Sequence, residues 1–272
     1  MDDFKGRVAV VTGGGSGIGA AMAEAFAALG SKVVLADVDE VGMSRVAGAI
    51  RGAGGEVIGV ATDVTELAAV KKLAERTVDA FGAVHIVCNN AGVGVYGPLS
   101  ESTERDWQWV VNVNLWGVVY GIQAFVPLIL AQNQGGHIVN TASMAGLAGM
   151  PGLGVYCATK FAVVGLTESL NRELHGTGVG ASVLCPMVVK TQINQSERNR
   201  PADLRNAGAR EPSLADMQLT ASRSIEATDV AARVVAGIRE KALYILTHEE
   251  SRDILRRRSG RLDKAAERVF HS

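Results

Sequence analysis

Eight residues, Thr12-Gly13-Gly14-Gly15-Ser16-Gly17-Ile18-Gly19, constrain this chain more than any other stretch. They follow an apolar run, Val8 to Val11, that reads as a short buried strand. They precede Ala20 to Leu29, rich in helix formers, with Gly30 as a stop. Strand, glycine turn and helix together form the setting of a phosphate-binding loop. Glycine lets backbone approach a pyrophosphate, and a helix N-terminus offers free N–H groups with partial positive charge. A tight turn without a ligand has the same local pattern, so the rest of the chain decides.

Apolar runs at Lys32–Asp37, Val57–Ala61, Val84–Cys88, Gly136–Ser143, Ala181–Cys185 and Leu243–Leu246 read as six further strands. Helical patterns lie between them, at Glu40–Ala53, at Glu66–Phe81 behind a Thr65 cap, at Ser102–Ala131 with Pro127 perturbing its end, and at Val155–His175. Thr228 is expected to cap a helix through Ala231 to Lys241. Alternating strands and helices predict an α/β fold, a doubly wound sheet of about seven parallel strands flanked by helices, in one domain over 1–272. Residues 192–225 turn polar and read as a lid over a site. Residues 248–272, with Arg256-Arg257-Arg258, read as a charged surface helix.

Composition narrows the partners. With 27 basic against 28 acidic side chains, nucleic acid is not expected. The three cysteines show no CxxC spacing; Cys88 and Cys185 read as buried thiols, and no metal is expected. The acidic N-terminus has no apolar signal region, and Gly117–Ala131 is too short to span a bilayer, so a cytoplasmic protein without a membrane partner is expected. A small-molecule substrate remains.

In such folds ligands sit at the carboxyl ends of the strands. That rim carries Gly13 to Gly19, Asp37, Asp63, Asn89-Asn90-Ala91-Gly92, Ser143 and Pro186. Asp37 lies 18 residues beyond Gly19, where a carboxylate accepts hydrogen bonds from ribose hydroxyls and repels a 2′-phosphate. NAD is therefore expected over NADP. Helix capping by Asp37 or Asp39 is the alternative, and for Asp63 the local pattern favours capping over adenine contact. Tyr156 and Lys160, four residues apart, share one helix face, and Ser143 ends a strand 13 residues before Tyr156.

The set Thr12-Gly13-x-x-x-Gly17-x-Gly19, Asn89-Asn90-Ala91-Gly92, Asn114, Ser143 and Tyr156-x-x-x-Lys160 resembles the short-chain dehydrogenase/reductase family over nearly the whole chain. The resemblance implies a Rossmann-type sheet and hydride transfer with a nicotinamide cofactor. It implies that Tyr156 is the general acid/base, that Ser143 holds the substrate oxygen, and that Lys160 binds the nicotinamide ribose and acidifies the tyrosine. Asn114 would support a water-linked proton relay. Gly13, Ser16, Gly17, Ile18, Gly19, Asp37, Asp63, Val64, Asn90, Ala91, Gly92, Pro186, Val189 and Thr191 would contact the cofactor, together with Tyr156 and Lys160. A homo-oligomer, tetramer or dimer, built through Ser102–Ala131 and Val155–His175 is also implied.

Elementary energetics agree with those roles. A free tyrosine titrates near ~10, so phenolate chemistry at neutral pH needs roughly 4 kcal/mol of stabilisation. A nearby ammonium in a dry site acts in that direction. One departure stands out: the family has Pro-Gly after the sixth strand, and here it is Pro186-Met187. The bulkier Met187 puts the backbone there in question and narrows the pocket. Val95, Met150 and Met187 are expected substrate contacts, with Val93–Tyr96, Met144–Met150 and Met187–Val189 as apolar walls and no Lys or Arg facing the reacting carbon. A hydrophobic or aromatic secondary alcohol, or its ketone, is the expected substrate. The lid and the charged ending look similar to a branch of the family that includes bacterial aryl-ether Cα-alcohol dehydrogenases. A catalytically silent, redox-sensing NAD-binding protein on the same fold is the competing reading; intact Ser143, Tyr156 and Lys160 favour the enzyme.

Overall fold

The computed structural model of the chain describes residues 3–206 and 223–269. Seven strands form one parallel sheet: β1 (Val8–Thr12), β2 (Lys32–Asp37), β3 (Val57–Ala61), β4 (Ile86–Asn89), β5 (Gly136–Thr141), β6 (Val179–Cys185) and β7 (Tyr244–Leu246). Their order is β3-β2-β1-β4-β5-β6-β7, so the chain reverses direction across the sheet between β1 and β4. A crevice opens at such a switch point. Strand side chains alternate between faces. Ala9, Val11, Val33 and Leu35 pack with α1 (Gly17–Ala28), α2 (Glu40–Gly52) and a late helix at Ala227–Glu240. Val8, Val10, Val34 and Ala36 pack on the other face with α3 (Leu67–Phe81), a helix at Gly117–Gln132 and one at Gly154–Glu173. Both faces are apolar because both are covered.

The caps differ in detail from the sequence reading. Asp39 caps α2 by accepting from Gly42 N at 3.0 Å. Thr65 caps nothing: α3 begins after Glu66, and Thr65 instead donates both its N–H and its hydroxyl to Asp63 Oδ1. The Ala227–Glu240 helix begins one residue before Thr228, with no side-chain cap. β5 ends at Thr141, and Ser143 leads a 3₁₀ turn, Met144–Gly146, by accepting from Ala145 N.

The expected single helix over Ser102–Ala131 is three pieces. Thr103 and Asp106 form a reciprocal capping box that starts α4 (Glu104–Val111). A π-helical turn follows at Asn112–Trp116, and α5 (Gly117–Gln132) runs on through Pro127. By length and mean hydropathy alone, 1.7, this 29-residue run could cross a bilayer. Here Phe125 and Ile129 of α5 are fully buried against the sheet. α6 (Gly154–Glu173), α7 (Ala227–Glu240) and α8 (Ser251–Glu267) complete eight α-helices among the described residues. The surface helix expected from 248 onward is α8, and most of it is exposed. Of the expected lid, 193–206 folds as 3₁₀ turns and extended chain; 207–222 lies outside the described residues.

Candidate active site

The glycine loop shows which of its glycines are needed. Gly13 and Gly17 have φ of 66° and 53°, a region that side chains disfavour. A Cβ at Gly19 would stand 2.1 Å from Gly13 O, and the loop could not close as it does. Ser16 precedes α1 without capping it through its side chain, which leaves first-turn N–H groups for a ligand. Asp37 closes β2 beside this loop: Oδ2 accepts from Gly15 N at 2.8 Å and Oδ1 from Asp39 N at 3.0 Å. Its capping alternative passes to Asp39, and Asp37 braces the loop while lining the crevice.

Thr12 connects this loop to the next strand, a role its sequence does not announce. Its hydroxyl accepts from Asn90 N at 2.9 Å and Ala91 N at 3.1 Å. Asn90 Nδ2 donates to Thr12 O, and Asn90 Oδ1 accepts from Thr141. The Asn90 side chain is thus committed to holding three strand ends together. Asn89 belongs to β4, buried, and donates to Asn140 at 2.9 Å.

One cavity runs along this rim. It is lined by Gly13, Ser16, Gly17, Ile18, Asp37, Asp63, Val64, Asn90, Ala91 and Gly92, then by Ser143, Tyr156, Lys160, Pro186, Met187, Val189 and Thr191. Gly19 lies buried beneath it. Val95 and Met150 are not among its lining residues: Val95 packs toward the Trp109 cluster, and Met150 opens the turn before α6, its carbonyl accepting from Leu153 N. Neighbourhood in sequence to Val93 or Ser143 did not carry these two side chains into the cavity. Trp109, Val113, Ile193, Arg198 and Pro201 line it instead. Arg198 is therefore a cation at the wall, although its Nη1 is turned back onto Gln192 O and Gln195 O.

Tyr156 and Lys160 sit on the first turns of α6, with Lys160 Nζ 5.5 Å from the Tyr156 ring centroid. Lys160 is 2% exposed and donates to Thr141 O at 2.8 Å. Burial lowers its pKa to about 8. Burial also pushes the Tyr156 phenol above its ordinary value, opposed by the polar Ser143 hydroxyl, which itself donates to Pro186 O at 3.3 Å. Dry surroundings disfavour each ion alone, so phenolate and ammonium are favourable only as a pair. Asn114 sits in the π turn, fully buried and outside the cavity lining. Its amide is spent on Val93 N, Val93 O and Thr159 Oγ1. A Cβ placed on Gly92 would be 3.5 Å from both Asn114 Oδ1 and Lys160 Nζ, so a glycine leaves the space between them open. Met187 has ordinary backbone, since Asn133 and Lys241 are the only non-glycine residues of positive φ among those described. Ser251 Oγ lies 3.6 Å from its sulfur.

A family model described as short chain dehydrogenase matches residues 7–202. The chain belongs to the short-chain dehydrogenase family. It is 34% identical to a C alpha-dehydrogenase of Sphingobium sp. strain SYK-6, covering 93% of this chain and 84% of that protein. A short-chain dehydrogenase/reductase from Burkholderia phymatum, solved with NAD, is 48% identical with a TM-score of 0.93, covering 97% of each chain. A metagenomic short-chain oxidoreductase solved with NADP is 31% identical with a TM-score of 0.71, covering 89% of this chain and 96% of that one. The chain is thus a short-chain dehydrogenase/reductase family oxidoreductase, of a family that uses nicotinamide dinucleotides. The glycine cradle fits such a group: Gly13, Gly17 and Gly19 and the open first turn of α1 are what a pyrophosphate requires.

Proposed function

We propose that this protein is an NAD-linked dehydrogenase of hydrophobic or aromatic secondary alcohols, or the reductase of the corresponding ketones. The observation that carries the reading is the Ser143–Tyr156–Lys160 cluster on the same cavity as the glycine loop. The loop and the first turn of α1 would hold the pyrophosphate, and Asp37 would accept from the adenosine ribose. Asp63 and Val64 would lie toward the adenine, and Lys160 would bind the nicotinamide ribose. When bound, a nicotinamide would supply the acceptor for the hydride of the carbinol carbon.

The side chains manage the proton. Ser143 donates to the substrate oxygen and orients it. Tyr156, as phenolate, takes the hydroxyl proton, and the Lys160 ammonium stabilises that phenolate. Asn114 holds Val93 and the π turn so that water can link Lys160 to the outside. In ketone reduction the same phenol returns the proton.

Support for an apolar substrate comes from the walls: Val93, Trp109, Val113, Met187, Ile193 and Pro201. The C alpha-dehydrogenase relative is in keeping with dehydrogenation at one carbon of the substrate, and the aryl class rests on the resemblance to the aryl-ether alcohol dehydrogenase branch. NAD rests on the Asp37 carboxylate beside the loop and on the NAD-bound relative. A homo-oligomer fits the exposed Trp116, stacked on Tyr120 at 5.5 Å on the outer side of α5. The test is NAD reduction across aliphatic, steroid, sugar and aryl secondary alcohols. Turnover of the aryl and hydrophobic members is expected; turnover of sugars alone, or of none, would overturn the reading.

A further inference from the structure

Arg200 is a buried charge with no part in the proton chemistry. Its side chain is 1% exposed, although it belongs to the irregular limb 193–206. Two of its nitrogens donate hydrogen bonds, and Nη2, which makes none, faces Asp106 as an ion pair. Nη2 lies 2.7 Å from Asp106 Oδ1, Nη1 donates to Glu197 at 2.9 Å, and Nε donates to Leu204 O at 2.8 Å. The guanidinium also lies 4.9 Å over the Trp109 ring. Trp109 lines the cavity, as do Asn199 and Pro201 on either side of Arg200.

Asp106 joins two structures. Oδ2 completes the α4 capping box with Thr103. Oδ1 faces the limb, meeting Arg200 and accepting from Asn206 Nδ2 at 2.9 Å. Further along, Arg105 donates to Arg205 O and Thr103 to Asn206 Oδ1. The other end of the limb is tied down by Gly94 N donating to Ser196 Oγ and by Tyr96 donating to Asn194. Arg200 is therefore the one charged plug in a limb that covers the cavity beside Trp109.

The chemistry of that plug matters. An apolar plug loses roughly 1.5–3 kcal/mol per large side chain when it leaves. A buried ion pair regains the hydration of both charges on opening, so its net hold is small, while its geometry is strict. α4 does not depend on Arg200 for its start, because Thr103 caps it. An undocked limb would leave no broken helix behind. Such a contact suits a cover that must dock in one register and release again.

We propose that Arg200 is a positioning residue, a latch that docks limb 193–206 onto α4 through Asp106 and Trp109 and so retains substrate over Ser143 and Tyr156. This rests on the reading of the cavity as an alcohol site. The test uses the full chain and compares wild type with Arg200→Gln and with Arg200→Lys, which keeps the charge but loses the planar fork.

Hydrogen exchange on the protein alone reads the latch directly. Amides of 193–206 should exchange about 10- to 100-fold faster in Arg200→Gln, the cost of leaving Asp106 without its ion-pair partner, with α4 unchanged and Arg200→Lys intermediate. With 1-phenylethanol, KM should rise within the same range, while the NADH Kd and the midpoint of the pH profile stay put. Unchanged exchange in 193–206 overturns the latch, as does equal loosening of α4 and the limb. Faster limb exchange with an unchanged KM also overturns it, because the limb would then not retain substrate. If Arg200→Gln fails to fold, Arg200→Lys carries the same comparison. Wild type that oxidises none of the alcohols overturns the functional reading, and the exchange experiment still decides the latch.

Discussion

Replacing Lys160 by Met isolates the electrostatic part of the proton chemistry. Lys160 Nζ lies 5.5 Å from the Tyr156 ring centroid. With the phenolate charge placed at the ring centroid and an effective dielectric of about 20, one ammonium stabilises it by about 3 kcal/mol. That is equivalent to roughly 2 pH units. Burial opposes both ions, raising Tyr156 and lowering Lys160 to about 8. The pair therefore titrates as a unit, and each charge depends on the other. Lys160→Met removes the attraction and keeps the dry surroundings of Tyr156. Oxidation needs the phenolate, so its rate rises with pH through the apparent pKa, and losing the ammonium moves that limb upward. At a fixed pH on the limb, kcat should fall about 100-fold, with the midpoint about 2 pH units higher. The assay is NAD reduction at saturating NAD across the neutral to alkaline range, since Lys160 is also assigned to the ribose. A variant that loses rate but keeps the wild-type midpoint would refute the electrostatic argument.

Three other perturbations test separate parts of the account. Gly19→Ala drives a Cβ to within 2.1 Å of Gly13 O; overpacking of about 1–3 kcal/mol should weaken NADH binding by one to two orders of magnitude in fluorescence titration, and wild-type affinity would contradict the loop geometry. Asp37→Ala removes the charge expected to repel a 2′-phosphate, so the NADPH-to-NADH Kd ratio should shift toward NADPH by about tenfold; an unmoved ratio takes Asp37 out of cofactor selection. His137 is buried beside Ser182, and burial lowers its pKa from 6.5 to about 4. The unfolded chain binds this proton first, so the stability from neutral His137 is full above 6.5 and is lost as pH falls to about 4, by about 3 kcal/mol. His137→Gln should flatten that acid limb in melting curves, and identical slopes would exclude His137 as its source.

The sheet and most helices were legible because their signals are local. β1 and β2 read as continuous apolar runs, as strands covered on both faces do, and Gly30, Gly54 and Gly82 stand in left-handed backbone where their helices stop. The loop alone fits two frames, Gly13-x-x-x-Gly17-x-Gly19 and Gly15-x-Gly17-x-x-Ala20, and it is the downstream Ser143, Tyr156 and Lys160 that select the first. The π turn was not, because Asn112 to Trp116 carry an ordinary helical pattern and their extra residue is held from outside, by Asn114 bonding to Val93. Thr12 and Arg200 were also hidden. Thr12 acts on residues 78 and 79 positions away, and Arg200 meets Asp106 across the fold. A polar stretch rich in Arg and Asn gives no sign of which arginine is buried. The walls of the cavity failed for the same reason, with Val95 and Met150 turned elsewhere and Trp109 and Ile193 supplied by distant segments.

The central claim is that Tyr156 moves the substrate proton, and Tyr156→Phe tests it most directly. Phe keeps the ring beside Lys160 and removes only the hydroxyl. NAD reduction with the best aryl alcohol should fall about 10²- to 10⁴-fold, the usual contribution of a positioned general base, while the NADH Kd stays near wild type. Turnover that survives Tyr156→Phe undiminished would contradict the account.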